Sequence, residues 1–401
     1  MKNIKITLWL FVVALWIQCS HKPVSSAPAL KVPEASVQKS PVQVGADQLD
    51  LLLPKLRNKN IALVVNHTSL VGQTHLTDTL KSSGITIKKV FAPEHGFRGS
   101  AADGEKVKDG IDTKTGLPVV SLYGSNRKPT AEQLADVDLV IFDIQDVGTR
   151  FYTYISTMHY VMEACAEQGK KLIILDRPNP NGNYVDGPLL VSSLKSFVGM
   201  HPIPIVHGLT VGELAQMING ESWLEKGLKC DVEIIPIKNW IHQDFYSLPV
   251  RPSPNLPNDQ AVKLYPSLCL FEGTVISVGR GTQMPFLVLG NPEFKDMPYS
   301  FTPKAIPGMS NNPPHEGKVC YGLDLSTVPV EPRINLRYLL EFYKKYSDKE
   351  KFFIGSFNRL AGTTVLQQQI KDGLTEEQIR ATWQKDLEVF KEKRKKYLLY
   401  D

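Results

Sequence analysis

Cysteine is scarce in this chain. Five occur in 401 residues and no two are separated by two residues, so neither a C-x-x-C redox pair nor a thiolate zinc cluster is written into the sequence. Cys165, Cys230, Cys269 and Cys320 read instead as small buried hydrophobes, able to pair only in an oxidising compartment. Cofactor signatures are missing too. The first strand-like run continues as "VVNHTSLVG" without the G-x-G-x-x-G that cradles a dinucleotide, and no G-x-x-x-x-G-K-[ST] loop occurs, so neither NAD nor ATP is expected. There is no H-E-x-x-H or H-x-H spacing; His67, His95, Asp143 and Asp146 would ligate a metal only if folding alone gathered them, and no metal or other cofactor is expected. No G-x-S-x-G elbow offers a serine nucleophile. The net charge of +5 is modest, and no basic stripe is interleaved with aromatics, which argues against nucleic acid as a partner.

Long apolar runs are also lacking. The run at the start, Leu8 to Ile17 behind Lys2 and Lys5, is about half the roughly 20 residues of a membrane span and reads as the core of a signal peptide over residues 1–19. Cys19 closes it, where a bacterial lipoprotein signal is cut and lipidated, although Gln18 stands where a small residue is usual; ordinary cleavage near "VSSAPA" is the alternative. The expected location is the periplasm, with membrane attachment only through that lipid. Residues 20–47, rich in Ser, Pro, Val and Lys without periodicity, suit a flexible tether.

What the chain does have is alternation. "IALVVN", "ITIKKVFA", "LPVVSLY", "VDLVIFD" and "KLIILD" are continuous apolar runs of strand length, separated by helical periods such as "YISTMHYVMEACAEQG". Strands apolar on both faces belong to a parallel sheet wrapped by helices, so residues 48–240 predict a Rossmann-like, doubly wound α/β domain. Such sheets bind ligands beyond the carboxyl ends of their strands. Those ends are polar here: Asn66, Glu94 with His95, Asp143 with Gln145 and Asp146, and Asp176 with Arg177. Any one of them is an ordinary helix cap; several on one edge suggest a ligand crevice.

The texture changes near residue 241, opening a smaller α+β domain over 241–401. "RPSPNLPND" is followed by a crowd of Glu272, Gly273, Thr274, Ser277, Gly279, Arg280, Gly281 and Thr282, where glycines beside an acid and an arginine allow backbone close to a ligand. The end reads as helical, with a capping box from Thr375 to Gln378 and a charged final helix expected to be solvated.

At this point several long motifs stand together in order: "FAPEHGFRG", "FDIQDVGTRFYTY", "LDRPNPNG" with "VDGP", "RPSPN", and "YPSLCLFEGT" with "SVGRGT". Across residues 48–401 the chain resembles the family long catalogued as a domain of unknown function, DUF1343, and now represented by the NamZ exo-β-N-acetylmuramidases. The resemblance implies release of N-acetylmuramic acid from the non-reducing end of peptidoglycan-derived disaccharides or muropeptides, in a cleft that the smaller domain closes. It makes the glutamate of the E-H-G motif, Glu94, the catalytic acid. Glycoside cleavage commonly needs a second carboxylate. Asp143 stands first because a strand end fixes it, with Asp146 and Glu272 behind it, and His95 reads as an orienting hydrogen-bond partner. Candidate substrate contacts are Asn66, Arg98, Gln145, Arg150, Tyr152, Asp176, Arg177, Arg251, Asn255, Ser277, Arg280 and Thr282. For the lactyl carboxylate that separates muramic acid from glucosamine, Arg280 is favoured over Arg251, Arg150 and Arg177 because its glycine neighbours allow close approach. Two other readings stay open: a different wall hydrolase, an amidase or deacetylase that metal dependence would reveal, and a non-catalytic muropeptide-binding lipoprotein.

Overall fold

The computed structural model describes residues 40–99, 105 and 109–401; the expected signal peptide, Cys19 and the tether through residue 39 lie outside them. Folded chain begins earlier than expected. Pro41 to Asp47, assigned to the tether, are docked: Gln43 bridges to Lys238 and the Gly45 N–H donates to the Asp176 carbonyl at 2.8 Å. A side chain on Gly45 would collide with the Ile235 carbonyl oxygen, so glycine is what lets this strap cross the strand ends so closely.

The strands of the large sheet come mostly from those apolar runs, whose β-branched and aromatic residues suit a pleated, buried surface. They are Asn60–Val65 (β1), Thr86–Ala92 (β2), Gly110–Ile111 (β3), Pro118–Ser121 (β4), Leu139–Asp143 (β5), Lys171–Leu175 (β6) and Val232–Ile235 (β7). Their order is β3-β4-β2-β1-β5-β6-β7, parallel throughout except where β3 runs against β4. Every residue of β5 is buried, as its unbroken apolar run requires. The chain winds outward from β1 through β2 to β4, then crosses back to β5, so the topological switch point lies between β1 and β5.

The second part carries a separate antiparallel sheet of Val288–Asn291 (β8), Tyr299–Phe301 (β9) and Cys320–Asp324 (β10), in the order β8-β10-β9. The capping box at Thr375 and Gln378 forms. The final helix differs from expectation. It is two helices, Glu376–Ala381 and Gln384–Arg394, and one face is buried through Ile379, Trp383, Leu387 and Phe390. The break falls where the Trp383 indole N–H donates to Asp186 Oδ1 at 3.2 Å, beside the Arg380–Asp186 ion pair of 2.7 Å; tertiary contacts with the first part outrank a uniform helical run here. The last residues return to the large sheet, where the Tyr400 hydroxyl donates to the buried Asp176 Oδ2 at 2.7 Å and accepts from the Ile237 N–H at 2.9 Å.

One apolar cluster joins the two parts, running from Phe91 and Phe142 through Phe151 and Tyr265 to Phe286 and Phe357. Arg150 pins this junction. It is fully buried, and its guanidinium donates to four carbonyls: Pro188 at 2.8 Å, Ile203 at 2.8 Å, Leu360 at 3.1 Å and Ala361 at 2.7 Å. Gly362 follows at φ +77°, and a Cβ there would strike Arg150 Nη2. Burial pulls the guanidinium pKa down to about 9, still charged at neutral pH. Arg150→Met should strand the Pro188, Leu360 and Ala361 carbonyls, while Ile203 keeps its bond from the Leu190 N–H at 3.2 Å, and destabilise the protein by at least about 3 kcal/mol, read as a lower urea midpoint; a shift under about 1 kcal/mol would mean that water replaces the guanidinium without loss.

Candidate active site

The polar strand ends divide into two sets. Those at the switch point bond chiefly to one another and to nearby backbone. Asp143, with no exposed surface, forms a bidentate pair with Arg177, Nε to Oδ1 at 2.6 Å and Nη2 to Oδ2 at 2.9 Å. Asn66 Oδ1 accepts from the Thr68 N–H and hydroxyl at 2.9 and 2.6 Å, the Thr68 hydroxyl accepts from the Gln145 N–H at 3.0 Å, and the Ser69 hydroxyl donates to the Asp143 carbonyl. The Gln145 amide donates to the Asp146 and Pro178 carbonyls, and Asp176 accepts from Thr210, Gly212 and Tyr400. The crevice expected there is filled by its own hydrogen bonds.

The open space lies one strand away. Beyond the carboxyl end of β2, Pro93 stops the strand, and His95 and Gly96 take left-handed backbone angles, φ +68° and +78°. A histidine held in that region stores strain that the surrounding fold must offset. The tight turn it makes, closed by the Gly96 N–H to Pro93 carbonyl bond of 3.0 Å, sets Glu94 and His95 side by side on a cavity of about 330 Å³. Thr153, just ahead of the helix Tyr154–Glu167, donates its hydroxyl to Glu94 Oε2 at 2.8 Å, which fixes the half-buried carboxyl. The second part supplies the facing wall: Glu272, whose carboxylate pairs with Arg280 Nε, together with Tyr265 and Phe286. Two carboxyl groups from opposite halves of the molecule thus face one cavity.

Of the residues nominated from sequence, Glu94, His95, Tyr152, Asn255, Glu272 and Arg280 line this cavity. Tyr152 donates to the Pro252 carbonyl at 2.8 Å, and Asn255 donates to the Met309 carbonyl at 2.9 Å. Asp143, the foremost candidate for second carboxylate, does not line it, because its carboxylate is committed to Arg177 inside the sheet edge. Asp146 is buried away from the cavity lining, with Oδ2 accepting from the Gly148 N–H at 2.6 Å. Asn66, Gln145, Asp176 and Arg177 belong to the network above, and Arg150 to the junction. Arg98 points to another face, over the Phe97 ring and paired with Asp112 at 2.8 Å. The Arg251 side chain is exposed, with its carbonyl bonded to His67 Nε2 at 2.9 Å. Ser277 and Thr282 close turns: the Ser277 hydroxyl accepts from the Gly279 N–H and the Thr282 hydroxyl donates to the Gly279 carbonyl.

The cavity also takes residues that sequence reasoning passed over: Thr153, Tyr154, Tyr123, Arg127, Phe197 and Ser253. Thr153 and Tyr154 had a signal, since they close the "FYTY" run that contributes Tyr152. Burial pushes the Tyr152 and Tyr154 phenols above their ordinary pKa, so both hydroxyls stay neutral. Among the described residues, no group of three His, Cys, Asp or Glu side chains is arranged to hold a metal ion.

Two family models cover nearly all of the described chain: exo-β-N-acetylmuramidase NamZ, N-terminal, over residues 61–260, and its C-terminal counterpart over 263–400. The chain belongs to the NamZ family. It is 38% identical to the peptidoglycan β-N-acetylmuramidase NamZ of Bacillus subtilis (strain 168), across 98% of this chain and 99% of that protein. A crystal structure of a DUF1343 family protein from Bacteroides fragilis NCTC 9343 superposes with a TM-score of 0.84 at 49% identity, covering 90% of this chain and 99% of the other. A second from the same organism gives 0.75 at 28% identity with the same coverage. Within this NamZ-family site the seam between the two matched regions is where Glu94 and Glu272 meet the same cavity.

Asp146 offers a test of the buried edge. Desolvation pushes its carboxyl up to about 7 from an ordinary 3.8. The folded state therefore disfavours the charged form, and the resulting loss of stability is absent below about pH 4, grows through the interval and is complete above about pH 7. Asp146→Asn keeps an acceptor for Gly148 and carries no charge. Its stability relative to the parent should be greater at pH 8 than at pH 5 by about 2–3 kcal/mol, measured by denaturant unfolding; equal differences at both pH values would show that Asp146 is ionised throughout.

Proposed function

We propose that this chain is an exo-acting β-N-acetylmuramidase that releases N-acetylmuramic acid from the non-reducing end of peptidoglycan fragments, with Glu94 protonating the leaving oxygen. The observation that carries the reading is that Glu94 and Glu272 line the same cavity, in a chain similar along its length to a protein named for that activity. Glycosidases of the two-carboxyl type place an acid on the glycosidic oxygen and a carboxylate on the opposite face of the sugar. Thr153 holds Glu94 for the first task. Glu272, positioned by Arg280, takes the second role in place of Asp143. The cavity lies at the small end of the roughly 300–1,000 Å³ range of ligand pockets, which suits one substituted sugar ring and an exo mode of attack. Tyr152, Tyr265 and Phe286 supply apolar surface for the ring.

Proton donation distinguishes this reading from passive sugar binding. Glu94→Gln should lower kcat on a chromogenic β-N-acetylmuraminide by about 10²- to 10⁴-fold while calorimetry still detects binding of N-acetylmuramic acid, since the amide keeps the shape and the bond from Thr153. Turnover within about tenfold of the parent would remove Glu94 from the acid role, and turnover abolished by a chelator would favour a metal-dependent wall hydrolase. We also propose that the protein is exported and anchored through Cys19, which puts the site beside its polymer. Cys19→Ser should then move the protein from the membrane fraction to the soluble periplasm; an unchanged distribution would refute the anchor.

A further inference from the structure

The cavity holds two guanidinium groups, and they are not equivalent. Arg280 is already engaged, its Nε on Glu272 and its Cζ 5.3 Å from the centre of the Phe286 ring. A second anion brought to it would share the guanidinium with a carboxylate already in place. Arg150 and Arg177 are buried and committed to carbonyls and to Asp143, and Arg251 lies outside the cavity. The remaining cation is Arg127, from the loop after β4. It lines the cavity with its guanidinium over the Phe197 ring, 4.4 Å from the centroid, and among the described residues it makes no ion pair.

The ring under it is braced. The Phe197 carbonyl accepts from the Ser156 hydroxyl at 2.7 Å, its ring stacks on Tyr160 with planes 12° apart, and Tyr123 lies 6.3 Å away. A guanidinium laid on an aromatic face keeps its in-plane N–H donors directed away from the ring, in the fork that fits a carboxylate. Such a fork is preorganised, so little side-chain freedom is lost when an anion docks. Its substrate-side chemistry is equally specific. Muramic acid differs from glucosamine by a lactyl ether that ends in a carboxylate, while the two sugars share every other polar group of the ring.

Resting on the reading of this cavity as a muramidase site, the geometry points to Arg127 as the residue that recognises the lactyl carboxylate of muramic acid. It takes the role that the glycine-rich setting of Arg280 suggests from sequence. Arg280 serves the shared chemistry instead, by positioning Glu272.

The test compares the parent with Arg127→Met and Arg127→Lys on three chromogenic substrates: the β-N-acetylmuraminide, the matching β-N-acetylglucosaminide, and a muraminide whose lactyl carboxyl is a methylamide. Arg127 is exposed, so Arg127→Met should fold with an unchanged Tm. Its kcat/KM on the muraminide should fall by roughly 10- to 100-fold, mainly through KM, with Arg127→Lys recovering part of the loss. The glucosaminide rate should not change, and the methylamide should be as poor for the parent as for the variant. An equal fall on muraminide and glucosaminide, unchanged muraminide kinetics, or a loss that persists on the methylamide overturns the assignment. Calorimetric titration with N-acetylmuramic acid and N-acetylglucosamine separates this inference from the hydrolase reading. A parent that prefers the former, loses that preference in Arg127→Met and yet cleaves no muraminide would refute the hydrolase and keep Arg127 as the reader. A parent with no preference refutes Arg127.

Discussion

The site depends on one buried cation. Arg150 directly precedes Phe151, Tyr152, Thr153 and Tyr154, all of which line the cavity, and its guanidinium grips the carbonyls of Leu360 and Ala361 on the far side of the junction. A hydrogen bond to a charged donor is worth about twice a neutral one, and four of them around a fully buried side chain fix two backbone segments at once. Thr153 inherits that rigidity and passes it to Glu94. The separation of Glu94 on the first part from Glu272 on the second is thus governed by a residue that lines the cavity with neither of them.

A second constraint explains why the cavity is not where the topology alone would put it. At the switch point between β1 and β5, Asp143 and Arg177 have withdrawn from water together. Removing one partner of such a pair costs about 3–5 kcal/mol because the other is left charged and alone. Around them Asn66, Thr68, Ser69 and Gln145 bond to one another and to nearby backbone, and these bonds fill the crevice. β2, next to β1, ends instead in Pro93 and a left-handed turn, which leaves Glu94 and His95 with a cavity to face.

Much of this was legible in the sequence. The unbroken apolar runs gave the strands and their parallel order because a strand buried on both faces has no polar side to show. Glu94, His95, Glu272 and Arg280 were visible because acids and cations set among glycines and prolines at strand ends or turns have few structural reasons to be there. The same reasoning over-counted. Asp143, Asp146, Asp176 and Arg177 look alike in sequence, and only the fold reveals that their charges and lone pairs are spent on each other, on backbone N–H groups or on Tyr400. It also missed Arg127 and Phe197, seventy residues apart in loops of ordinary turn composition. A cation gains a platform there only when the chain brings the two together, and no local pattern encodes that meeting.

The bond between Tyr400 and Asp176 has a consequence for how the molecule comes to be made. The two residues are 224 positions apart, so on a ribosome adding roughly 5–20 residues per second the carboxylate emerges on the order of 10–45 s before its phenol. The large sheet can assemble from β1 to β7 during that interval, yet its sixth strand ends in an acid lacking one of its donors. That acid therefore waits for Tyr400 to complete its hydrogen bonds. A chain cut short of Tyr400 would still carry every residue that lines the cavity, whose last member is Leu360, and yet leave the buried Asp176 without one of its donors.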